Sequence, residues 1–245
     1  MKRLDTIAPH GTPGTDHIEP IQVALQGATG RLGARIAALA QGDPRLSIVA
    51  SHDRANPLFL PKDSAISAVI EVSSDEGARS ALANAERGGA AILVGTTGLS
   101  KTTLEAAERA AKKVPVMVAP NLSRGVAILR RLVRALADVD AAWDFDLLER
   151  HHRGKRDAPS GTAIMLADLV RETGGADRLA GRIHSVRAGG IVGEHELRLS
   201  TVDEEILVSH RALDRDVFAR GAIEAICWLV GQAPGMHAFE NSLCR

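Results

Sequence analysis

The chain has 245 residues, 45% hydrophobic and 24% charged, enough for one or two soluble domains with sizeable cores. Thirty basic residues balance thirty acidic ones, so no global charge draws the protein to nucleic acid or to an anionic membrane surface. Four Phe, two Trp and no Tyr exclude aromatic stacking platforms for single-stranded nucleic acid and any mechanism that needs a tyrosine acid, including the Tyr-Lys pair of short-chain dehydrogenases.

Met1 to Glu19 is polar and rich in Gly, Pro, Thr and His, without the apolar segment of a signal peptide. We expect a flexible leader over 1–19 and a cytoplasmic protein. No apolar run approaches about 18 residues, so no membrane span is expected. Ile21–Leu25 is a short apolar run ending at glycine, as a buried strand does. Arg31 to Ala40 has helical composition. Leu46–Ala50 and Ala68–Val72 read as strands two and three, Glu76 to Arg87 as an Ala-rich helix, and Ala90–Val94 as strand four. Ser100 to Lys113 is a helix with Ser100 as N-cap and Pro115 just past its end. Val116–Ala119 is strand five. Strands that alternate with helices, most of them continuous apolar runs, indicate a parallel sheet covered on both faces.

The pattern changes after Pro120. A helix is expected over Gly125 to Ala137. Trp143–Leu147 alternates apolar and polar residues, which suits a strand with one wet face. A helix follows Ser160. Arg182–Arg187, His195–Thr201 and Glu205–His210 read as strands, expected antiparallel, and Val217 to Gly231 as a last helix. The fold class is therefore α/β followed by α+β. Cys227 and Cys244 are too few for a thiolate zinc cage or a disulfide framework; we read a core thiol and a tail thiol.

Four segments carry chemistry. Gly27-Ala28-Thr29-Gly30-Arg31-Leu32-Gly33 lies between strand one and helix one, where glycines let backbone amides approach a pyrophosphate. An ordinary strand-to-helix turn is the alternative. Asp53 falls after strand two, about 20 residues beyond Gly33, where a carboxylate takes ribose hydroxyls. Arg54 beside it suits a 2′-phosphate or is simply a surface arginine, so both NADH and NADPH stay open. Gly95-Thr96-Thr97, after strand four, and Ala119-Pro120-Asn121-Leu122, after strand five, end at the sheet's carboxyl edge, where ligands of such sheets bind; each could also be a plain turn.

The densest segment runs from Glu149 to Ala163. His151, His152, Arg153, Lys155 and Arg156 crowd into it, and Ser160, Gly161 and Thr162 open a helix. Helix N-termini favour carboxylates and phosphates, and histidine can donate a proton near neutral pH. The segment reads either as an anionic-substrate site with a histidine acid or as a basic surface loop. A metal site is not expected, because His-His lacks partners at a ligand spacing. Farther on, Arg187 to His195 is a glycine-rich crossover, and His195 is read as structural.

Together these segments resemble the 4-hydroxy-tetrahydrodipicolinate (dihydrodipicolinate) reductase family. Its pattern E-x-H-H-x-x-K-x-D-A-P-S-G-T-A is matched from Glu149 to Ala163. V-G-T-T-G, A-P-N-x-S and R-A-G-x-I-V-G-E-H follow in family order, and R-x-x-F-A-x-G-A is met by Arg215, Phe218, Ala219, Gly221 and Ala222. The resemblance spans Ile21 to Gly235. It implies a Rossmann-like dinucleotide domain (20–122 plus 216–245) and a substrate domain (123–215) whose open mixed sheet builds a homotetramer. It further implies NADH- or NADPH-dependent reduction of a small cyclic dicarboxylate in lysine and diaminopimelate biosynthesis. His151 would be the acid and Lys155 would assist and bind; His152, Ser160, Gly161 and Thr162 would hold carboxylates. A related cyclic imine as substrate, or a non-catalytic NAD(P)-binding regulator, are the alternatives. The chain departs from the family in a short Asp53–Gly95 stretch, in Glu71 and Val72, in Leu122 where an aromatic is usual, in Arg124, and in its tail.

Overall fold

The computed structural model describes residues 19–137, 139, 142–172, 179 and 183–243. The expected leader, apart from Glu19, and the tail thiol Cys244 lie outside the described residues. The first half alternates as the sequence suggests: β1 (Ile21–Gln26), α1 (Arg31–Ala40), β2 (Leu46–His52), β3 (Ala68–Glu71), α2 (Asp75–Gly88), β4 (Ala91–Val94), α3 (Lys101–Ala110) and β5 (Pro115–Val118). The second half holds α4 (Arg124–Ala137), β6 (Asp144–His151), α5 (Gly161–Val170), β7 (Ile183–Arg187), β8 (Gly193–Ser200) and β9 (Glu205–Ala212). It ends with α6 (Asp216–Leu229), β10 (Gly235–Met236) and a 3-10 turn at Phe239–Leu243.

The first sheet is wholly parallel, in the order β10-β5-β4-β3-β1-β2. Its central strands are mostly apolar because both faces are covered, with Gln26 and Glu71 at the carboxyl ends of β1 and β3. Val23, Leu25, Ile70 and Leu93 pack under α1 and α6, whereas Ala24, Val69, Ile92 and Val94 pack under α2 and α3. The Ser74 hydroxyl caps α2 by accepting from the Gly77 amide, and Ser100 caps α3 from Thr103. Asp75 accepts from the Ser100 amide at 2.8 Å and ties the two helix starts together. The shortened stretch has a direct structural correlate: residues 53–67 cross from β2 to β3 without a helix. Leu58 and Leu60 bury themselves beside α2 instead. Asn84 Oδ1 accepts from the Leu60 amide at 2.9 Å, and Arg87 Nε donates to the Leu60 carbonyl at 2.8 Å.

The second sheet has the order β7-β6-β8-β9. β6 alternates strictly, with Phe145, Leu147, Glu149 and His151 on the face covered by α4 and α5. The expected antiparallel arrangement holds for β6/β8 and β8/β9 but not for β7, which runs parallel to β6. The reason is the connection: α5 lies between β6 and β7, and a helical crossover returns the chain in the same direction. The β8–β9 link is only Thr201–Glu204, a length that makes a hairpin. α6 then returns to the first sheet and buries Ala219, Ala222, Ile226 and Leu229. Arg35 to Asp216 (2.7 Å) and Arg45 to Glu224 (2.8 Å) fasten it there. Cys227 is half-buried on this helix, and burial pushes its thiol up to about 11, as befits a packing residue. Among the described residues no helix is long and apolar enough to cross a membrane.

Candidate active site

The glycine-rich turn is built for close approach. Gly27 sits at φ +91°, a conformation that favours glycine, and a Cβ there would lie 2.6 Å from the Val72 carbonyl oxygen. A Cβ on Gly33 would lie 2.1 Å from the Gly27 carbonyl oxygen, so only glycine lets α1 begin this close to β1. Gly30 caps α1 without a side chain, which leaves the first-turn amides of Arg31 and Leu32 to an outside acceptor. This cradle fits a pyrophosphate. We expect Gly33→Ala to weaken NADH or NADPH binding by more than about tenfold, because overpacking of this kind costs about 1–3 kcal/mol. Fluorescence titration of the bound nicotinamide reads it.

The other dinucleotide candidates line the same carboxyl edge. Ala28 is half-buried and Thr29 exposed. Asp53 follows β2, and its Oδ1 accepts from the Ala55 and Asn56 amides at 2.9 and 3.0 Å, which shapes its own turn; Arg54 is exposed. Gly95, Thr96 and Thr97 leave β4, and Ala119, Pro120 and Asn121 leave β5. Leu122 differs from the rest. It is 2% exposed, and its Cδ1 would meet a Cβ on Gly95 at 3.0 Å. Its side chain supports the turn after β4 from within the core. Glu71, also buried, accepts from the Ser73 amide at 2.7 Å. Burial raises its carboxyl above the usual range, against opposing bonds from Ser73 and Thr96.

On the second sheet, His151 is the last residue of β6 rather than part of a loop, which corrects the expected strand end at Leu147–Leu148. Its Nδ1 makes a short hydrogen bond to Glu149 Oε2. Glu149 is buried and shares its other oxygen with Arg187 Nη2 (2.6 Å) and the Ser160 amide (3.3 Å). Burial alone would raise the Glu149 carboxyl; bonds from Arg187, Ser185 and His151 outweigh it and hold the group below its ordinary value. For His151, burial is the largest influence and lowers the ring below 6.5, with Lys155 and Arg187 acting in the same sense and Glu149 against them. Nε2 makes no hydrogen bond among the described residues and is the nitrogen left to face a substrate.

The remaining candidates surround this pair. Ser160 caps α5, its hydroxyl accepting from the Ala163 amide at 3.2 Å. It is buried, so its side chain is a strut, while Gly161 and Thr162 present the accessible first turn. Lys155 donates to both Asp157 carboxylate oxygens at 2.7–2.8 Å, and His152 is half-buried beside the turn at Gly154. Asn121 Nδ2 donates to Thr162 Oγ1 at 2.9 Å, so the strap after β5 is bonded directly to the start of α5. Sequence reasoning missed Glu149 and Arg187 as site residues. Glu149 stood inside the quoted motif, and extending the β6 alternation by four residues would have placed it with His151 on the buried face.

A glycine-rich cradle on one sheet and a buried histidine–carboxylate pair with an open helix N-terminus on the other, linked through the Asn121–Thr162 bond, make the layout of a nicotinamide-dependent reductase. Comparison with known proteins narrows the class. Residues 21–122 match the family model for the N-terminus of dihydrodipicolinate reductase, and residues 125–243 match that for its C-terminus. The 4-hydroxy-tetrahydrodipicolinate reductase of Stenotrophomonas maltophilia strain K279a is 38% identical over 238 residues, covering 91% of this chain and 98% of its own length. The enzyme of the same name from Caldanaerobacter subterraneus is 34% identical over 244 residues, covering 90% and 97%. In fold, the chain is similar to a dipicolinate-bound dihydrodipicolinate reductase from Paenisporosarcina sp. TG-14, with TM-score 0.74, 20% identity, and coverage of 91% and 99%. The chain belongs to the dihydrodipicolinate reductase family, whose members are NAD(P)H-dependent oxidoreductases.

Proposed function

We propose that this enzyme reduces 4-hydroxy-tetrahydrodipicolinate to tetrahydrodipicolinate in lysine and diaminopimelate biosynthesis, working in the cytoplasm. The observation that carries the reading is the Glu149–His151 pair set against the open first turn of α5. The glycine-rich turn from Gly27 to Gly33 would hold the nicotinamide dinucleotide, which would supply the hydride that C4 of the ring takes up as water departs. The Gly161 and Thr162 end of α5 binds one carboxylate, and Lys155 and His152 hold the other. His151 Nε2 delivers a proton to the carbon beside the reduced one. Burial shifts the ring toward its neutral form in the free protein, and two substrate carboxylates nearby would shift it back toward the protonated form. The test is a coupled assay with the preceding synthase, aspartate semialdehyde and pyruvate, following NAD(P)H absorbance. Oxidation supports the reading; none with either cofactor overturns it.

Residues 20–122 with 216–245 form the dinucleotide unit in this reading, and 123–215 the substrate unit. Both NADH and NADPH serve it. In this reading Asp53, at the end of β2, takes the ribose hydroxyls, and exposed Arg54 meets a 2′-phosphate. Arg54→Ala should raise the KM for NADPH about tenfold, the worth of one charge-assisted bond, and leave that for NADH within about twofold. Equal effects on both cofactors would remove Arg54 from phosphate recognition.

The outer face of the second sheet supports assembly into a homotetramer. Arg211 meets Glu194 at 2.9 Å, Arg150 meets Glu194 and Glu196 at 3.4 and 3.5 Å, and Arg198 meets Glu205 at 3.1 Å. Leu207, 48% exposed, lies among them. A face carrying both signs in alternation can pair with its own copy. Sedimentation should return four times the chain mass of 25.9 kDa.

A further inference from the structure

Toward the start of β6 the covered face of the second sheet is apolar row by row, with Leu147, Leu197 and Val208 in register. The next row is polar. Ser185, Glu149, His195 and His210 stand side by side across β7, β6, β8 and β9. His195 is 4% exposed and meets the His151 ring edge-on at a centroid distance of 5.2 Å. Its Nε2 lies 3.3 Å from Ser160 Oγ. His210 repeats the arrangement one strand over, with Nε2 3.4 Å from Ser123 Oγ. Each serine starts a helix. Ser160 caps α5, and the Ser123 hydroxyl accepts from the Val126 amide at 3.3 Å in the first turn of α4. Two helix starts therefore rest on two histidines of one row. Glycine makes room for the His210 and His151 rings. A Cβ at Gly125 would lie 2.5 Å from the His210 ring, and one at Gly193 would lie 3.1 Å from His151 Nε2.

We propose that His195 is a positioning residue: through Ser160 it fixes the N-terminus of α5, and through its ring edge it fixes His151, so that the carboxylate site and the proton donor stay in register. His210 and Ser123 do the same for α4, next to the strap that bears Asn121. The role needs a neutral ring with a nitrogen free to meet a hydroxyl. Burial, with the neighbouring His151 and His210, holds His195 down to about 3, so the ring stays neutral at working pH. Ser160 cannot point its hydroxyl at the substrate while it serves this bond and the Ala163 amide. Its contribution to substrate binding is then indirect.

This inference rests on the reductase reading, and dipicolinate is the probe that separates the two. Calorimetry would measure dipicolinate binding to wild type, His195→Phe, His195→Gln, Ser160→Ala and the Phe/Ala double variant, all with NADPH bound, alongside KM and kcat in the coupled assay. Phe keeps the ring and loses the nitrogen; Gln keeps a polar group near Nε2. We expect His195→Phe to weaken dipicolinate and raise substrate KM about five- to tenfold, the worth of one buried hydrogen bond, with NADPH affinity unchanged. His195→Gln should recover most of that loss. The double variant should be no worse than either single one, because both remove the same bond. A His195→Phe protein that melts earlier but binds dipicolinate as wild type does would overturn the proposal, as would strictly additive losses in the double variant. Wild-type protein that fails to bind dipicolinate would overturn the functional reading and this inference with it.

Discussion

Replacing His151 with Gln is expected to lower kcat by about 10²–10⁴-fold, the usual contribution of a positioned general acid, while KM stays within about threefold. Glutamine keeps a polar group near the Glu149 carboxylate and cannot deliver a proton. The loss therefore falls on an interaction made in the transition state. A large rise in KM with kcat preserved would assign His151 to binding. The pH profile gives an independent reading. Activity needs the protonated ring, so it declines as pH rises through the ring's pKa. In the free protein burial holds that pKa below 6.5, so kcat/KM should begin to fall below pH 6.5. Bound carboxylates raise the pKa in the complex, so the kcat limb should lie at higher pH. Coincident limbs would show that the substrate leaves the ring's charge unaffected.

The parallel sheet was legible because continuous apolar runs separated by helical segments permit few other layouts, and the Gly27–Gly33 turn identified its carboxyl edge. The second sheet was less legible. β7 has the composition of an antiparallel strand, and its direction is decided by α5, which precedes it, rather than by its own residues. The site divides in the same way. His151, Lys155, Gly161 and Thr162 stood in one dense segment. Arg187, His195 and His210 reach the same place only through strand register, and a one-dimensional reading gives no signal for that. Leu122 is the instructive case. Its place after β5, where the family usually has an aromatic, put it among the cofactor candidates, and the structure buries its side chain in the core. The absence of tyrosine has its counterpart here: the acid we propose is a histidine set at a strand end and bonded to a buried carboxylate.

That carboxylate depends on Arg187, and Arg187→Met should show how much. Arg187 Nη2 donates to Glu149 Oε1 at 2.6 Å and also to the Asp157 carbonyl, so it clamps the segment that leads into α5 against the histidine pair. Glu149 is fully buried, and burial is already the largest influence on it. Without the guanidinium, burial prevails and the carboxyl rises above its ordinary value of 4.5. The sign of the pH dependence then reverses. In wild type the depressed Glu149 adds stability that is present above pH 4.5 and lost as pH falls through the folded pKa. In the variant the raised group favours folding at acid pH and costs stability as pH climbs past 4.5. The stability gap between the two proteins should therefore widen from about pH 4.5 toward neutrality, to about 3–5 kcal/mol, the cost of leaving one partner of a buried pair alone. Urea unfolding at several pH values measures it, and a gap that does not change with pH would remove Glu149 from the explanation. Adding Glu149→Gln to Arg187→Met should restore much of the stability, because no buried charge is then left unpaired. It should not restore turnover, because His151 would still lack the carboxylate that orients its ring and stabilises its charged form. Stability and activity separate in that double variant, which marks the Arg187–Glu149 pair as one kept for the acid it holds in place.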